Sequence, residues 1–248
     1  MIELENVSFT YENSEIKEKQ STLSDVTFRV SAGECVVLCG RSGCGKTTLL
    51  RMVNGLVPHF YQGEMKGKVS VGEIDIQNSG LPEISRIVGS VFQNPRTQFF
   101  HTDTTGEMAF NLENQSIPQT QIKERIGNVV ARLNLQDLMD RNIFELSGGE
   151  KQQIACGSVY AAMPQVMVLD EPSSNLDMGS IRKLKKLIRT MKEEGKTVLI
   201  SEHRLWYLQG AGGSIRGDGK RTDCAGVIAR ADDELVRGRK TENGTSSC

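Results

Sequence analysis

The stretch Gly40-Arg41-Ser42-Gly43-Cys44-Gly45-Lys46-Thr47-Thr48 fits the pattern G-x-x-x-x-G-K-S/T without a gap. The apolar run Cys35-Val36-Val37-Leu38-Cys39 precedes it and reads as a buried strand. Thr48-Leu49-Leu50-Arg51-Met52-Val53-Asn54-Gly55 follows and reads as a helix that ends at a glycine. Strand, glycine-rich loop and helix together make a phosphate cradle. The glycines let backbone N–H groups converge on an anion, and the helix N-terminus adds its positive dipole end. In that arrangement Lys46 reaches the β- and γ-phosphates of a nucleotide, and Thr47 offers its hydroxyl to Mg²⁺.

A phosphate loop needs acids nearby, and the chain supplies them downstream. Val166-Met167-Val168-Leu169-Asp170-Glu171-Pro172 is an apolar strand that delivers two carboxylates at its C-terminal end, where ligands collect on such sheets. Asp170 is placed to hold Mg²⁺ through water, and Glu171 to polarise a water towards the γ-phosphate. Thr197-Val198-Leu199-Ile200-Ser201 repeats the strand pattern and leads into Glu202-His203. A histidine at a strand end beside a phosphate site is a candidate sensor of the γ-phosphate. Ile87 to Phe92 reads as another buried strand, closed by Gln93-Asn94-Pro95, since Pro95 cannot continue a ladder.

Alternation in Ile2 to Val7, in Leu23 to Val30 and in the segment from Gly67 to Ile76 predicts strands, with a polar loop over 13–21. Tyr11 ends the first of these. Its ring either stacks on an adenine or packs as an ordinary strand-end tyrosine. Residues 97–146 read as mostly helical, with Ile122, Ile126, Val129, Val130 and Leu133 on one face. Ser147-Gly148-Gly149-Glu150 fits a capping box, so a helix starts there with uncovered N–H groups in its first turn. Ile181, Leu184, Leu187, Ile188 and Met191 make the buried stripe of a helix whose other face is basic and solvated.

Composition bounds the function. With 30 Lys and Arg against 31 Asp and Glu, the chain lacks the basic balance of a protein that coats nucleic acid. No apolar run approaches the ~20 residues of a membrane span, and Met1 to Glu5 has no signal-peptide plan. The six cysteines form no C-x-x-C pair, which argues against zinc and for reduced thiols.

Taken in order, these pieces resemble the ATP-binding subunit of an ABC transporter, over residues 1 to about 209. Gly40 to Thr48 matches Walker A, Gln93 the Q-loop glutamine, Leu146 to Gln152 the signature, Val166 to Glu171 Walker B, Ser174 to Asp177 the D-loop and His203 the switch histidine. Tyr11 falls at the adenine-stacking aromatic. The resemblance implies an α/β P-loop fold with a RecA-like core, an N-terminal antiparallel β-subdomain and a helical signature subdomain near 96–160. It implies ATP and Mg²⁺ as ligands. Gly40, Arg41, Ser42, Gly43, Cys44, Gly45, Lys46, Thr47 and Thr48 would hold phosphate. Thr47, Gln93 and Asp170 would serve the metal, and Glu171, Gln93 and His203 would carry hydrolysis. It also implies a second ATPase subunit, same or different, whose bound ATP is covered by Ser147, Gly148 and Gly149. Within the superfamily, Phe92 to Phe100, Thr104 to Phe110 and Ser201 to Leu205 look like the energy-coupling factor importers of vitamins or transition-metal ions. Those pair two ATPases with a transmembrane scaffold and a substrate-binding membrane protein, at the cytoplasmic face of the membrane. Two competitors stand beside this. A soluble ABC ATPase of DNA or ribosomes would carry coiled-coil inserts or fused cassettes; a non-catalytic partner subunit would have lost its acids.

From Gly210 to Cys248 the family pattern collapses, with eight glycines and poor apolar periodicity. Either this is a divergent tail, or one extra base near Gly210 has shifted the reading frame. In the second case the final strand and helix of the nucleotide domain are missing.

Overall fold

The computed structural model describes residues 1–12, 22–204 and 207–208, and the backbone of two further strands at 213–215 and 228–231. Two sheets organise the chain. The first is antiparallel and built from β1 (Ile2–Tyr11), β2 (Leu23–Val30), β4 (Gly63–Val71) and β5 (Ile74–Asp75), in the order β2-β1-β4-β5. The segment read as one strand from Gly67 to Ile76 is instead a long strand turning at Gly72 (φ 62°) into a short one. Its start at Gly63 escapes a sequence reading because Gly63 and Gly67 interrupt the alternation. Gly63 has the reason in its surroundings: a Cβ there would lie 2.3 Å from the Thr10 carbonyl oxygen of β1.

The second sheet has the order β6-β7-β8-β3-β10-β9. Its parallel part consists of β6 (Val88–Val91), β7 (Val166–Asp170), β8 (Thr197–Ser201) and β3 (Cys35–Leu38). β3, and β7 as far as Leu169, are buried on both faces, which is why they read as unbroken apolar runs. Val36, Leu38, Val168 and Leu199 face the antiparallel sheet and α1 (Lys46–Val53), whereas Val37, Met167, Leu169, Val198 and Ile200 face the opposite layer. A parallel sheet presents its strand ends together, so Leu38, Asp170 and Ser201 finish side by side.

That opposite layer is helical. It contains α4 (Thr104–Asn114), α5 (Gln119–Leu133), α6 (Gly148–Ala161) and α7 (Met178–Glu193). The expected faces are found: Ile122 and Val129 are buried with Ile126, Val130 and Leu133 packed against them, and all five apolar residues of the α7 stripe are buried. α6 is enclosed on nearly all sides, so its sequence shows no amphipathic period. Two short helices, α2 (Leu56–His59) and α3 (Leu81–Ile87), were not legible as helices, being about one to two turns long. β9 (Gly213–Ile215) and β10 (Ile228–Ala231) lie in the tail where no element was expected. β10 runs antiparallel to β3 and extends the central sheet. The rest of the tail, where a shifted frame would leave its mark, lies outside the described residues.

Candidate functional site

The phosphate loop has the backbone its glycines permit. Gly43 and Gly45 take left-handed conformations (φ 81° and 91°). A Cβ on Gly45 would meet Leu23 Cδ2 at 2.5 Å and the Thr22 carbonyl at 3.0 Å. Gly45 is also the N-cap of α1, with no side-chain cap, so the first N–H groups of that helix are free to face an anion. Lys46 folds back on its own loop, donating to the carbonyls of Gly40 (3.0 Å) and Arg41 (3.1 Å). Its ammonium therefore stands over the cradle, held by acceptors that a phosphate can replace.

Thr47 Oγ1 donates to Asp170 Oδ1 at 3.3 Å, which brings the hydroxyl and carboxylate expected to serve Mg²⁺ to one point. An all-oxygen pair suits that hard cation. The point borders a cleft of ≈ 70 Å³ lined by Arg51, Asn54, Tyr61, Ser90 and Phe92, among others. A divalent cation held there would neutralise charge on bound phosphates. Ser201, which sequence reading passed over, completes this corner. Its hydroxyl donates to Asp170 Oδ1 (2.5 Å) and accepts from the Glu171 N–H (3.0 Å).

Glu171 is the hub of the site. Gln93 Nε2 donates to Glu171 Oε2 at 2.9 Å, and His203 Nε2 lies 3.0 Å from Glu171 Oε1. Three residues scattered over more than a hundred positions thus meet at one carboxylate. The backbone at Glu171 sits at φ 43°, a left-handed conformation that a non-glycine residue adopts at a cost of about 1–3 kcal/mol. The hydrogen bonds from its N–H to the Ser201 carbonyl and hydroxyl hold that turn.

Tyr11 is packed and hydrogen-bonded at the end of β1. Its ring edges onto Phe9 (4.8 Å) and Tyr61 (6.2 Å), and its hydroxyl meets Thr48 Oγ1 (3.1 Å) and Arg51 Nη1 (3.3 Å). It is tied to the helix that follows the phosphate loop, a link no sequence pattern announced. Arg41, Ser42 and Cys44 form the crown of the loop, with the Cys44 N–H donating to the Arg41 carbonyl.

Ser147, Gly148 and Gly149 stand apart. No hydrogen bond among the described residues joins them to the phosphate loop. The capping box is present as expected: the Glu150 N–H donates to Ser147 Oγ (3.3 Å), and the Ser147 N–H to Glu150 Oε2 (2.8 Å). That backbone hydrogen bond, with the Ser147 hydroxyl and Arg141, holds the Glu150 carboxyl below its ordinary value of 4.5. Glu150 therefore stabilises α6 fully above pH 4.5, and its contribution fades as pH falls through the lower folded value. Glu150→Ala is expected to cost about 0.3–1.5 kcal/mol at neutral pH. Denaturant melts should show that gap to wild type closing in acid. Behind the cap, buried Lys151 donates to the carbonyls of Phe144 (3.2 Å) and Leu146 (2.5 Å), fixing the approach to the helix.

Gly149 is required by packing. A Cβ there would lie 1.9 Å from Ser180 Oγ and 2.5 Å from Ser180 Cβ on α7. Rotation of the hydroxyl relieves only the first contact. Gly149→Ala is expected to cost about 1–3 kcal/mol through overpacking, and Gly149→Ala/Ser180→Gly to recover most of it. Thermal melts of the single and double variants check this.

Comparison with known proteins agrees with this geometry. Residues 23–174 match the family model described as ABC transporter. A Treponema denticola protein named as an ABC transporter ATP-binding protein is 51% identical over 208 residues, 84% of this chain and 42% of that protein. A second from the same organism is 43% identical over the same shares. The chain spans less than half the length of these relatives. Among solved structures, cbiO1 from Clostridium perfringens, described as part of the ABC transporter complex cbiONQ, superposes with a TM-score of 0.72. It is 26% identical, with 82% of this chain and 78% of that one covered. The dimeric bacterial ABC transporter cassette MJ0796 gives a TM-score of 0.71 at 25% identity, covering 84% and 90%. Through its family match, its fold and the phosphate loop, Gln93, Glu171 and His203 gathered at one edge of the sheet, this chain belongs to the ABC transporter ATP-binding domains, a family of ATPases.

Proposed function

We propose that this chain is the ATP-hydrolysing subunit of an importer of the energy-coupling factor type, acting at the cytoplasmic face of a membrane. The observation that carries the catalytic part is the Gln93–Glu171–His203 cluster beside Thr47 and Asp170. Lys46 and the loop N–H groups bind the phosphates. Thr47, Asp170 and Gln93 serve Mg²⁺. Glu171 takes the proton of the attacking water, oriented by Gln93, and His203 reports on the γ-phosphate. Residues 1–209 form the working cassette, and Ser147, Gly148 and Gly149 complete the site of a second cassette. A non-catalytic partner role is disfavoured, because Glu171 and both side chains around it, Gln93 and His203, are present and in contact.

The membrane part rests on exposed aromatics. Phe100 and Phe144 are each 74% exposed, in the segment after Gln93 and in the turn that leads to the signature helix. Phe100 stacks on Phe110 at 4.6 Å, and the buried carboxylate of Glu107 accepts from the N–H groups of Phe100 (2.9 Å) and His101 (3.0 Å). A solvent-facing phenylalanine held this firmly offers a surface for an apolar partner. The partner is a cytoplasmic helix of a transmembrane scaffold. The cbiO1 neighbour, part of a complex cbiONQ, and the motifs from Phe92 to Phe110 support the importer class. Among the described residues no helix is long and apolar enough to cross a membrane. The test is co-sedimentation with vesicles from the host membrane. The chain should pellet with them, and Phe100→Asp should remain in the supernatant with its ATP affinity unchanged. A wild-type chain that stays in the supernatant would contradict the proposal.

A further inference from the structure

Glu202 is 2% exposed and lies between Ser201 and His203, two residues that touch Glu171. Its N–H donates to the Leu38 carbonyl at the end of β3 (3.0 Å). Its carboxylate accepts four hydrogen bonds. Oε1 takes the N–H groups of His203 (2.8 Å) and Arg204 (3.1 Å); Oε2 takes the N–H of Ser173 (3.3 Å) and the hydroxyl of Tyr207 (2.7 Å). Burial, with Glu202 beside it, pushes the Tyr207 phenol far above its usual range, so Tyr207 stays a donor. These four donors are neutral. A buried carboxylate is expensive unless its lone pairs are filled, and here the donors fill them from two separate loops. Ser173 opens the segment Ser174-Asn175-Leu176-Asp177, and His203 carries the imidazole on Glu171.

We propose that Glu202 is a positioning residue that locks the loop beginning at Ser173 to the loop bearing His203. It acts through His203 rather than on the nucleotide. One oxygen fixes the backbone from which the imidazole reaches Glu171, and the other fixes the strand-end turn that follows Glu171-Pro172. The two loops then shift as one body, so contact at the 173–177 segment is transmitted to the Glu171–His203 pair. This rests on the reading of Glu171 and His203 given above.

The test uses the whole chain with MgATP. Glu202→Gln leaves one of the two donor pairs without an acceptor, and Glu202→Ala leaves both. Loss of such orienting hydrogen bonds is expected to lower kcat by about 10–100-fold, with the alanine variant the lower. ATP affinity should stay within about twofold and the melting temperature above the assay temperature, since Glu202 does not touch the phosphate loop. Tyr207→Phe removes a single donor and should lower kcat by only a few-fold; it provides the answer if the Glu202 variants do not fold. His203→Ala separates the two readings. If His203→Ala turns over ATP normally, the assignment of the switch residue fails. If His203→Ala is impaired while the Glu202 and Tyr207 variants keep wild-type kcat, or lose ATP affinity in parallel with kcat, the positioning role is overturned.

Discussion

Lys46→Ala is expected to weaken nucleotide binding by at least ~10²-fold in Kd. The ammonium bonds the carbonyls of Gly40 and Arg41, and on the proposed function these contacts would give way to phosphate oxygens. Hydrogen bonds to a charged partner contribute about 1.5–3 kcal/mol each. Losing two weakens ATP binding by about 3 kcal/mol or more, at least ~10²-fold in Kd. The fold should tolerate the change, because the freed carbonyls lie in a part-buried crown that water reaches. Equilibrium titration with a fluorescent ATP analogue measures the loss, and a melting curve in the absence of nucleotide shows whether the domain is intact. Arginine at 46 should not rescue, since its broad planar fork does not fit a loop shaped around one ammonium.

Glu171→Gln should separate binding from chemistry. The amide is the same size as the carboxyl, and its oxygen can still accept from Gln93. Its nitrogen can donate to His203 if the imidazole presents a lone pair there. The site geometry is therefore retained while the base is lost. Removal of a positioned general base lowers turnover by about 10²–10⁴-fold. ATP affinity should change little, because the hydrogen-bond partners of Glu171 among the described residues, namely Gln93, His203, Ser201 and Ser174, all lie outside the phosphate loop. Phosphate release over time, set against analogue binding on the same preparation, tests both halves. A fall in affinity equal to the fall in rate would mean that Glu171 holds the nucleotide rather than activating water.

The parts of this fold that were legible in the sequence are those whose chemistry is local. The glycines of 40–45 mark a loop between a strand and a helix, and the apolar run to Asp170 marks a buried strand; both are found. The capping box at Ser147 is a three-residue rule and was found as read. Contacts across the sheet were not legible. Ser201 is one serine among many until β7 and β8 lie side by side and its hydroxyl reaches Asp170. Glu202 carries no local signal of burial, yet it is buried, with partners from Ser173 and Tyr207. Glu107 likewise looks like a surface helix residue, whereas it turns inward to hold Phe100 and His101. In each case the deciding partner lies on another element, and periodicity along one segment carries no record of it. Tyr11 gives the mixed result: its place at the strand end was read correctly, but not its bond to Thr48.

The measurement that bears most directly on the transport assignment is capture from detergent-solubilised host membranes. Glu171→Gln serves as bait with MgATP present, which holds a closed pair of cassettes, and mass spectrometry identifies what is retained. The account predicts a second ATPase cassette, identical or different, together with two multi-spanning membrane proteins, the membrane proteins being lost when the bait carries Phe100→Asp. Recovery of soluble partners or nucleic acid alone would contradict it.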